Sequence, residues 1–401
     1  MDASVLTQAA RFTSRRVQAM PGSMFAAMDT AKDRARLAGL DVIDLSIGAS
    51  DLRPPEAALA ALRDALYDPA THGYCLHSGT RPLRTAVAAW FEARFGVAVD
   101  AERQVLPLIG AQEGFANLLV ACADPGDAVL LPDPAYPSYF GAVAAAGLET
   151  VPLPLLAERG FLPDLDAVDA TSLARARALV LCYPNNPTAG IATPAFFDQA
   201  LAFAERHDLL LIHDFPYVDL VDDPADAPSV LARPGGLERA VELYSASKSF
   251  HMGGFRLGWA IGQAEAIAAL TRLKGAIDFN QYLGIQRAVV AALREPLAAR
   301  RADAATFSER RSALLAALAA IGWHAPVPRA SMYVWAPLPA GERDSSLFCQ
   351  ALAGATGVAL APGRGFGPSG EGYVRFALVR EPEVLREAVA RIGAFLDAGP
   401  R

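Results

Sequence analysis

Short apolar runs alternate with amphipathic segments between about residues 104 and 274, and this alternation limits the possible folds more than any other feature. We predict strands at 104–109, 128–131, 148–153, 178–182, 209–213 and 241–244, with helices at 111–122, 139–146, 194–207 and 264–274. Strands that alternate with helices form a mostly parallel sheet whose faces are both covered. The sequence therefore predicts an α/β unit with a mostly parallel central sheet and helices on both faces.

The pattern changes after about residue 280. Long helical runs at 283–293 and 304–321 are followed by strands at 331–335, 358–360 and 373–378, as in an α+β unit. We expect a large α/β domain over residues 52–285. The N-terminal segment 1–51 and the C-terminal part 286–401 would together form a smaller α+β domain.

Charge and cysteine pattern narrow the class of protein. The formal net charge is −7 without a long basic run, which argues against a nucleic-acid-binding surface. No run of about 18 apolar residues lacks charges, and residues 1–16 contain no apolar signal core, so we expect neither a membrane span nor export. Four cysteines without paired spacing indicate free thiols in a reducing cytoplasm, and six histidines without ligand spacing predict no metal site.

The stretch that begins at Ser245 combines a lysine with small hydroxyl residues, glycines and an arginine. Lys248 follows a predicted strand, and open α/β sheets bind ligands at the carboxyl ends of their strands. An amine in such a crevice loses water and becomes a competent Schiff-base nucleophile. Ser245, Ser247 and Arg256 could bind a phosphate beside it. A lysine that can condense with an aldehyde, next to a site for a phosphate, indicates pyridoxal phosphate. The alternative is a glycine-rich loop with an exposed lysine.

Four further stretches lie at predicted strand ends, and two of them could hold the phosphate and the ring face. Gly110 follows a strand and opens a helix, whose terminal N–H groups and dipole favour a phosphate. An ordinary strand-to-helix turn has the same pattern. Three prolines in the loop 132–138 restrict Tyr136, as suits a ring stacked on a planar cofactor. A tyrosine packed on the core is the alternative.

The other two stretches could serve the ring oxygen and the ring nitrogen. Asn185 and Asn186 lie between prolines, and an amide there could donate to a phenolic oxygen, although Asn and Pro also favour turns. Asp214 ends a strongly apolar strand, where a carboxylate is costly to bury unless a cation or donor pairs with it. A protonated pyridine nitrogen would be such a partner, and a helix cap or an ion pair is the alternative. Tyr217 could bond a phenolate oxygen. Together, the stretches account for the phosphate, ring face, ring oxygen, ring nitrogen and aldehyde carbon of one cofactor.

These motifs recur in a known family. They are Ser245-x-Ser-Lys248 with Arg256, Asn185-Asn-Pro-Thr188, Asp214-x-x-Tyr217 and Tyr74. Over about residues 43–378 the chain resembles the class I/II aminotransferases, which are fold-type I pyridoxal-phosphate enzymes of the aspartate aminotransferase superfamily. The resemblance implies an enzyme that moves an amino group from an amino acid to a 2-oxo acid. It would do so by a ping-pong mechanism through a Schiff base to Lys248.

The resemblance also implies a role for each matching residue. Lys248, Asp214 and Tyr217 would be catalytic, with the lysine moving the proton, the aspartate keeping the pyridine nitrogen protonated and the tyrosine bonding the ring 3-oxygen. The cofactor would be held by Ala111, Gln112, Tyr136, Asn186, Asp214, Tyr217, Ser245, Ser247, Lys248, Arg256 and Tyr74. The substrate would be held by Gly48, Asn186 and Arg375, the arginine clamping the α-carboxylate. Tyr74 resembles the tyrosine that reaches the neighbouring subunit's phosphate, which implies a homodimer with shared active sites.

Specificity is less clear from the motifs. The segment Gly48-Ala-Ser-Asp-Leu52 stands where the family usually has Gly-x-Pro-Asp-Phe, and Asn186-Pro-Thr-Ala-Gly190 where it has Asn-Pro-Thr-Gly. Some members that prefer acidic substrates carry a lysine at the position of Ala111, so the alanine argues against a dedicated aspartate specificity. Residues 277–282 resemble a subgroup of diaminopimelate type or of undefined specificity.

Two other functions share the cofactor motifs. A pyridoxal-phosphate-dependent C–S lyase that performs β-elimination begins with the same Cα carbanion, so the motifs do not separate it from an aminotransferase. A non-catalytic sensor that binds the cofactor would usually carry a DNA-binding domain, and the roughly 40 residues before the fold begins are too few for one. We expect amino acid and 2-oxo acid substrates, with neither nucleic acid nor membrane as a partner.

Overall fold

The computed structural model describes residues 12–20, 22 and 24–398, so most of the predicted signal-free segment 1–16 lies outside the described part. The strands are β1 (Ile43–Asp44), β2 (Val105–Leu108), β3 (Ala128–Asp133), β4 (Glu149–Pro154), β5 (Ala176–Cys182), β6 (Leu210–Asp214), β7 (Ala240–Ser245), β8 (Gly258–Gly262), β9 (Tyr333–Pro337), β10 (Val358–Ala359), β11 (Ala361–Pro362) and β12 (Tyr373–Ala377). The α-helices are α1 (Arg15–Gln18), α2 (Met24–Leu37), α3 (Glu56–Leu66), α4 (Arg81–Phe95), α5 (Ala111–Cys122), α6 (Ser138–Ala146), α7 (Ala170–Arg175), α8 (Pro194–Arg206), α9 (Gly236–Arg239), α10 (Ala246–Ser249), α11 (Ala264–Ile277), α12 (Leu283–Leu293), α13 (Leu297–Ala320), α14 (Ser345–Thr356) and α15 (Pro382–Asp397). Among these residues, no helix is long and apolar enough to cross a membrane, and no three His, Cys, Asp or Glu side chains are grouped as metal ligands.

Seven strands form the central sheet, in the order β2-β8-β7-β6-β5-β3-β4. From β7 to β4 every neighbouring pair is parallel, which confirms the predicted mostly parallel sheet. One apolar core packs α3, α4, α8 and α12 on one face, and another packs α5, α6 and α11 on the other face. The inner strands are continuous apolar runs because both of their faces are covered.

Strand β8 was not predicted, and it runs antiparallel to both β7 and β2. Its two glycines weaken the strand signal, since glycine is depleted in strands. The pairing explains why they are present. A Cβ atom on Gly258 would lie 2.4 Å from the carbonyl oxygen of Tyr244, and one on Gly262 would lie 2.2 Å from that of Ala240. The close approach of β7 and β8 therefore requires residues without a side chain.

A smaller unit is built from both ends of the chain. Strands β11, β12 and β9 form an antiparallel sheet, and β1 pairs in parallel with β10, in register Ile43 to Val358. Helices α2, α13, α14 and α15 pack around a third apolar core. The pairing of β1 with β10 supports the predicted joining of the N-terminal segment to the C-terminal part.

The predicted domain boundary at residue 285 falls inside helix α12. Ala288, Val289 and Ala292 of this helix are buried in the core of the larger unit, where α12 packs against α3. The division into 52–285 and 1–51 with 286–401 stays a prediction. The packing of α12 favours a boundary after Leu293 instead.

Candidate active site

The site lies where the parallel strands end. Strands β5, β6 and β7 finish at Cys182, Asp214 and Ser245 on one edge of the sheet, where a cavity of about 460 Å³ opens. Twelve of the thirteen predicted site residues line it: Gly48, Ala111, Gln112, Tyr136, Asn186, Asp214, Tyr217, Ser245, Ser247, Lys248, Arg256 and Arg375. Tyr74 does not. The carboxyl ends of parallel strands bring together residues that are far apart in sequence, as expected for an open α/β sheet.

One end of the cavity is suited to an anion. Helix α5 begins after Gly110, whose φ of +81° places it in the left-handed region that glycine tolerates. A Cβ atom on Gly110 would lie 2.4 Å from Nη2 of Arg256, so only glycine lets the guanidinium approach the helix start. Ser245, which caps α10, and Ser247, which lies within it, line the same cavity. A helix N-terminus, two hydroxyls and a guanidinium group together favour a phosphate.

The cavity lining also contains a buried carboxylate. The Oδ2 atom of Asp214 accepts a hydrogen bond from the Tyr139 hydroxyl, whereas its Oδ1 atom is buried and has no hydrogen-bond partner among the described residues. Burial raises the pKa of Asp214 to about 6, although the bond from Tyr139 and the neighbouring His213 favour the ionised form. A buried acceptor that lacks a partner is costly. A ligand with a protonated ring nitrogen would supply that partner.

Aromatic and amide groups form another part of the cavity lining. The Tyr136 hydroxyl lies 3.3 Å from Gln112 Oε1. The Tyr217 and Tyr333 hydroxyls lie 3.0 Å apart and both are buried. Burial raises the pKa of Tyr217 well above its ordinary range, so this hydroxyl keeps its proton and can donate a hydrogen bond.

Lys248 and Arg375 both contact the segment that follows β1. The Lys248 amine donates to the carbonyl oxygen of Gly48, and Arg375 Nη2 donates to that of Ser46 at 2.7 Å. Arg375 is fully buried, and its Nη1 donates to Asn186 Oδ1 at 2.7 Å. The Nε atom of this arginine is buried without a hydrogen-bond partner. The arginine therefore has an unused donor, as a residue that receives a carboxylate needs.

Two aromatic rings fix the plane of that guanidinium group. Its central carbon lies 4.1 Å from the ring centre of Tyr333 and 4.7 Å from that of Phe366. Such cation–π contacts restrain the fork without using its N–H groups. Tyr333 thus contacts both Arg375 and Tyr217.

Some cavity residues were missed by sequence reasoning. Tyr333, Tyr139, Ser50 and His251 line the cavity, as does Cys182. Tyr139 could have been found, because a residue three positions after Tyr136 at a helix start lies on the same face. Tyr333 carries no such signal, since its place in the cavity depends on how the smaller unit packs against the larger one.

Tyr74 lies outside the cavity of its own chain. Its side chain is 87% exposed, and its ring meets that of Phe279 edge-on at 5.5 Å. Phe279 is also exposed, and the adjacent Asn280 donates from Nδ2 to the carbonyl oxygen of Cys75 at 3.2 Å. Two loops that are distant in sequence thus present an aromatic pair to the outside.

Fold and site together define a class of protein. A lysine follows a central strand of a mostly parallel sheet, and it shares one cavity with an anion cradle and with a buried carboxylate that has a free oxygen. These features fit pyridoxal phosphate, and they are those of a fold-type I pyridoxal-phosphate enzyme.

Comparison with known proteins gives the family. The model of the family aminotransferase class I and II matches residues 40–392, and the chain belongs to this family. It is 40% identical over 383 residues to the LL-diaminopimelate aminotransferase of Gloeobacter violaceus, which covers 95% of this chain and 98% of that protein. It superposes with a TM-score of 0.89 and 50% identity on a probable N-succinyldiaminopimelate aminotransferase from Thermus thermophilus, covering 93% of this chain and all of that one. Substrate-bound BacF from Bacillus subtilis superposes with a TM-score of 0.93 at 32% identity, covering 96% and 98% of the two chains.

The protein is therefore a pyridoxal-phosphate-dependent aminotransferase that acts on amino acid and 2-oxo acid substrates. This confirms the predicted enzyme class and cofactor.

Proposed function

We propose that the twelve cavity residues hold pyridoxal phosphate and the substrate in the roles that the family resemblance implies. The observation that carries this is the free Oδ1 atom of Asp214, which lines the same cavity as an anion cradle that begins at Ala111. When bound, the cofactor supplies an aldehyde for the amino group and a ring that withdraws electrons from the substrate Cα. Asp214 would hold the proton on the ring nitrogen, and Tyr217 and Asn186 would bind the ring oxygen.

Lys248 would form the covalent link to the cofactor and move the proton. Its amine is already inside the cavity, held by the carbonyl oxygen of Gly48. Arg375 would orient the substrate by its α-carboxylate, because two rings fix its plane and its Nε donor is unused. A fixed carboxylate places the Cα–H bond where one base can reach it.

The first test is Lys248→Ala. This variant should lose transamination while it folds and still binds the cofactor non-covalently. Arg272→Ala, a change on helix α11 at a residue outside the cavity lining, is the matched control and should keep wild-type turnover. Turnover that survives in Lys248→Ala would contradict the assigned role.

We further propose an amino donor of the diaminopimelate type, a long amino acid with a second carboxylate. The support is the naming of the similar proteins, LL-diaminopimelate aminotransferase at 40% identity and probable N-succinyldiaminopimelate aminotransferase at 50%. Ala111, where a lysine would suit acidic donors, also agrees with a substrate other than aspartate.

The donor is tested by absorbance. The cofactor-loaded protein is mixed with one amino acid at a time, without a keto acid, and the aldehyde-form band is followed. We expect LL-diaminopimelate or its N-succinyl derivative to convert the band to the amine form at the lowest concentration. A lower half-saturating concentration for aspartate would contradict the proposal. Release of pyruvate and ammonia with return of the first band would favour the C–S lyase instead.

We also propose a cytoplasmic homodimer in which Tyr74 reaches the partner subunit's phosphate site. The exposed pair of Tyr74 and Phe279 supports this, and four unpaired cysteines agree with a reducing compartment. Subunit mixing tests the shared site. Lys248→Ala and Tyr74→Ala should each be weakly active or inactive, and a mixture should recover activity because each hybrid dimer has one intact site. A monomer in analytical ultracentrifugation, or a mixture without recovery, would contradict it.

A further inference from the structure

We propose that His251 is a positioning residue, which anchors the cavity-lining segment 46–51 to the lysine loop through a hydrogen bond to Ser50. His251 Nδ1 lies 2.8 Å from Ser50 Oγ, and both residues line the cavity. The inference rests on the proposed function, and it goes beyond it because neither residue belongs to the cofactor or substrate groups assigned above.

The segment 46–51 has no regular secondary structure, so its position depends on contacts with other parts of the chain. Two of these contacts come from Arg375, which donates to Ser46 O at 2.7 Å, and from Lys248, which donates to Gly48 O. The fit is close, because a Cβ atom on Gly48 would lie 2.0 Å from the Tyr333 hydroxyl oxygen. A small displacement of the segment would therefore change the cavity at the point where a substrate carboxylate binds.

Those two contacts are weak anchors during the reaction. Lys248 and Arg375 are the groups that the proposed function assigns to the cofactor and to the substrate, and ligands would compete for their N–H groups. Among the described residues, two other side-chain contacts tie the segment to distant elements without using Lys248 or Arg375. One is the Asp51–Arg310 ion pair at 2.7 and 2.9 Å, which ties the segment to helix α13 of the smaller unit. The other is His251, which ties it to the lysine loop of the larger unit.

The contact between His251 and Ser50 is maintained although the backbone conformation of His251 is unfavourable. Its φ is +56°, in the left-handed region, although glycines follow it at positions 253 and 254. A residue with a side chain is disfavoured there, and such residues cluster at functional sites. The ring is 9% exposed, and Asp303 Oδ2 of helix α13 lies 3.2 Å from its Nε2 atom. The ring is thus placed between Asp303 and Ser50, both of which belong to the smaller unit.

Ser50 supplies the hydroxyl group that this contact requires. The serine also accepts a hydrogen bond from the backbone N–H of Leu52 at 3.3 Å, which orients its hydroxyl. A histidine that only fills space would need neither the serine nor the strained backbone.

The test uses a double-mutant cycle on the cofactor-loaded enzyme. The variants are Ser50→Ala, His251→Ala, the double variant and His251→Asn, whose amide can take the place of Nδ1 and which tolerates a positive φ. The readouts are KM and kcat for the best donor, and the dissociation constant of 2-oxoglutarate from absorbance in the absence of a donor. Cofactor affinity and melting temperature are measured in parallel.

We expect Ser50→Ala and His251→Ala each to raise KM and the 2-oxoglutarate dissociation constant by about fivefold, the effect of one hydrogen bond. The double variant should be no worse than either single variant, and His251→Asn should stay within about twofold of wild type. Values of kcat and cofactor affinity should change less than KM.

Independent, additive effects of the two single variants would overturn the proposal, as would a loss confined to melting temperature. Ser50→Ala alters only a partly exposed loop residue, so it tests the anchor even if His251→Ala folds poorly. A wild-type protein that forms no cofactor band would contradict the proposed function rather than the anchor.

Discussion

His213 and Asp214 are neighbours on β6, and their side chains enter two different environments because successive strand residues point to opposite faces. On one face, His213 Nδ1 lies 2.9 Å from Glu242 Oε1 of β7, and both side chains are fully buried. Glu242 also receives hydrogen bonds from one backbone N–H and two hydroxyls. On the other face, Asp214 has a single hydrogen bond and an oxygen with no partner in the described chain.

Burial alone therefore does not mark a functional carboxylate. Glu242 is as deeply buried as any side chain in the core, yet the chain itself supplies all its partners. A buried charge with full partners holds a structure together, and removal of one partner is costly. The Oδ1 atom of Asp214 lacks a partner in the described chain, and the residue lines a cavity, so the missing bond is left for a ligand.

The largest expected effect is on catalysis at Asp214. Asp214→Asn should lower kcat/KM by at least about a hundredfold, because the ring nitrogen would lose its anionic partner. The melting temperature of the cofactor-free protein should stay the same or rise, since a buried charge without a full set of partners is removed. Steady-state kinetics and thermal unfolding measure the two effects. A wild-type value of kcat/KM in this variant would contradict the functional role of Asp214.

Loss of the negative charge of Glu242, on the other face of the sheet, should affect stability. Glu242→Gln should lower the free energy of unfolding by about 3 kcal/mol, because the amide N–H₂ would face groups that donate to the carboxylate. Urea denaturation followed by circular dichroism measures this, and kcat/KM of the folded enzyme should change less than about twofold. Loss of activity at unchanged stability would instead place Glu242 in the catalytic machinery.

A third prediction concerns the pH dependence of the cofactor-free protein. Burial raises the pKa of Asp214 to about 6, so the folded state binds this proton more tightly than the unfolded state does. The resulting stabilisation is complete below about pH 4 and is lost as the pH rises through about 6, with a total of about 3 kcal/mol. Wild type should therefore lose stability over this range relative to Asp214→Asn, as measured by melting temperature against pH. Parallel profiles would contradict the raised pKa.

The smallest effect is expected at Tyr139, whose hydroxyl donates to Asp214. Tyr139→Phe removes a bond that favours the ionised carboxylate, so the pKa of Asp214 should rise further and the stability loss should move to higher pH. We expect a decrease in kcat/KM of about fivefold. Tyr244→Phe, which removes a hydroxyl bonded to Glu242 on the other face, is the matched control. A pH profile that shifts in the control and not in Tyr139→Phe would reverse the assignment of the two faces.

The sheet and most of the site could be predicted because both depend on short-range patterns. Apolar runs ended by Asp214 or followed by Lys248 gave strands with polar residues at their carboxyl ends, and parallel strands share that edge. Tyr74 lies outside the cavity of its own chain, and its contact with a neighbouring subunit stays a prediction. Strand β8 was missed because its two glycines are atypical of a strand. The close approach of β7, which leaves no room for side chains there, explains why they are present.

Local sequence therefore determined which residues end each strand, and so which of them can meet in the cavity. Tertiary structure decided the rest. It placed Tyr333 against Arg375, His251 against Ser50 and helix α12 in the larger core. These contacts join segments far apart in the chain, and their energies depend on distances that periodicity and propensity do not contain. For the same reason, the difference between a satisfied Glu242 and an unsatisfied Asp214 became visible only once every hydrogen-bond partner had a position.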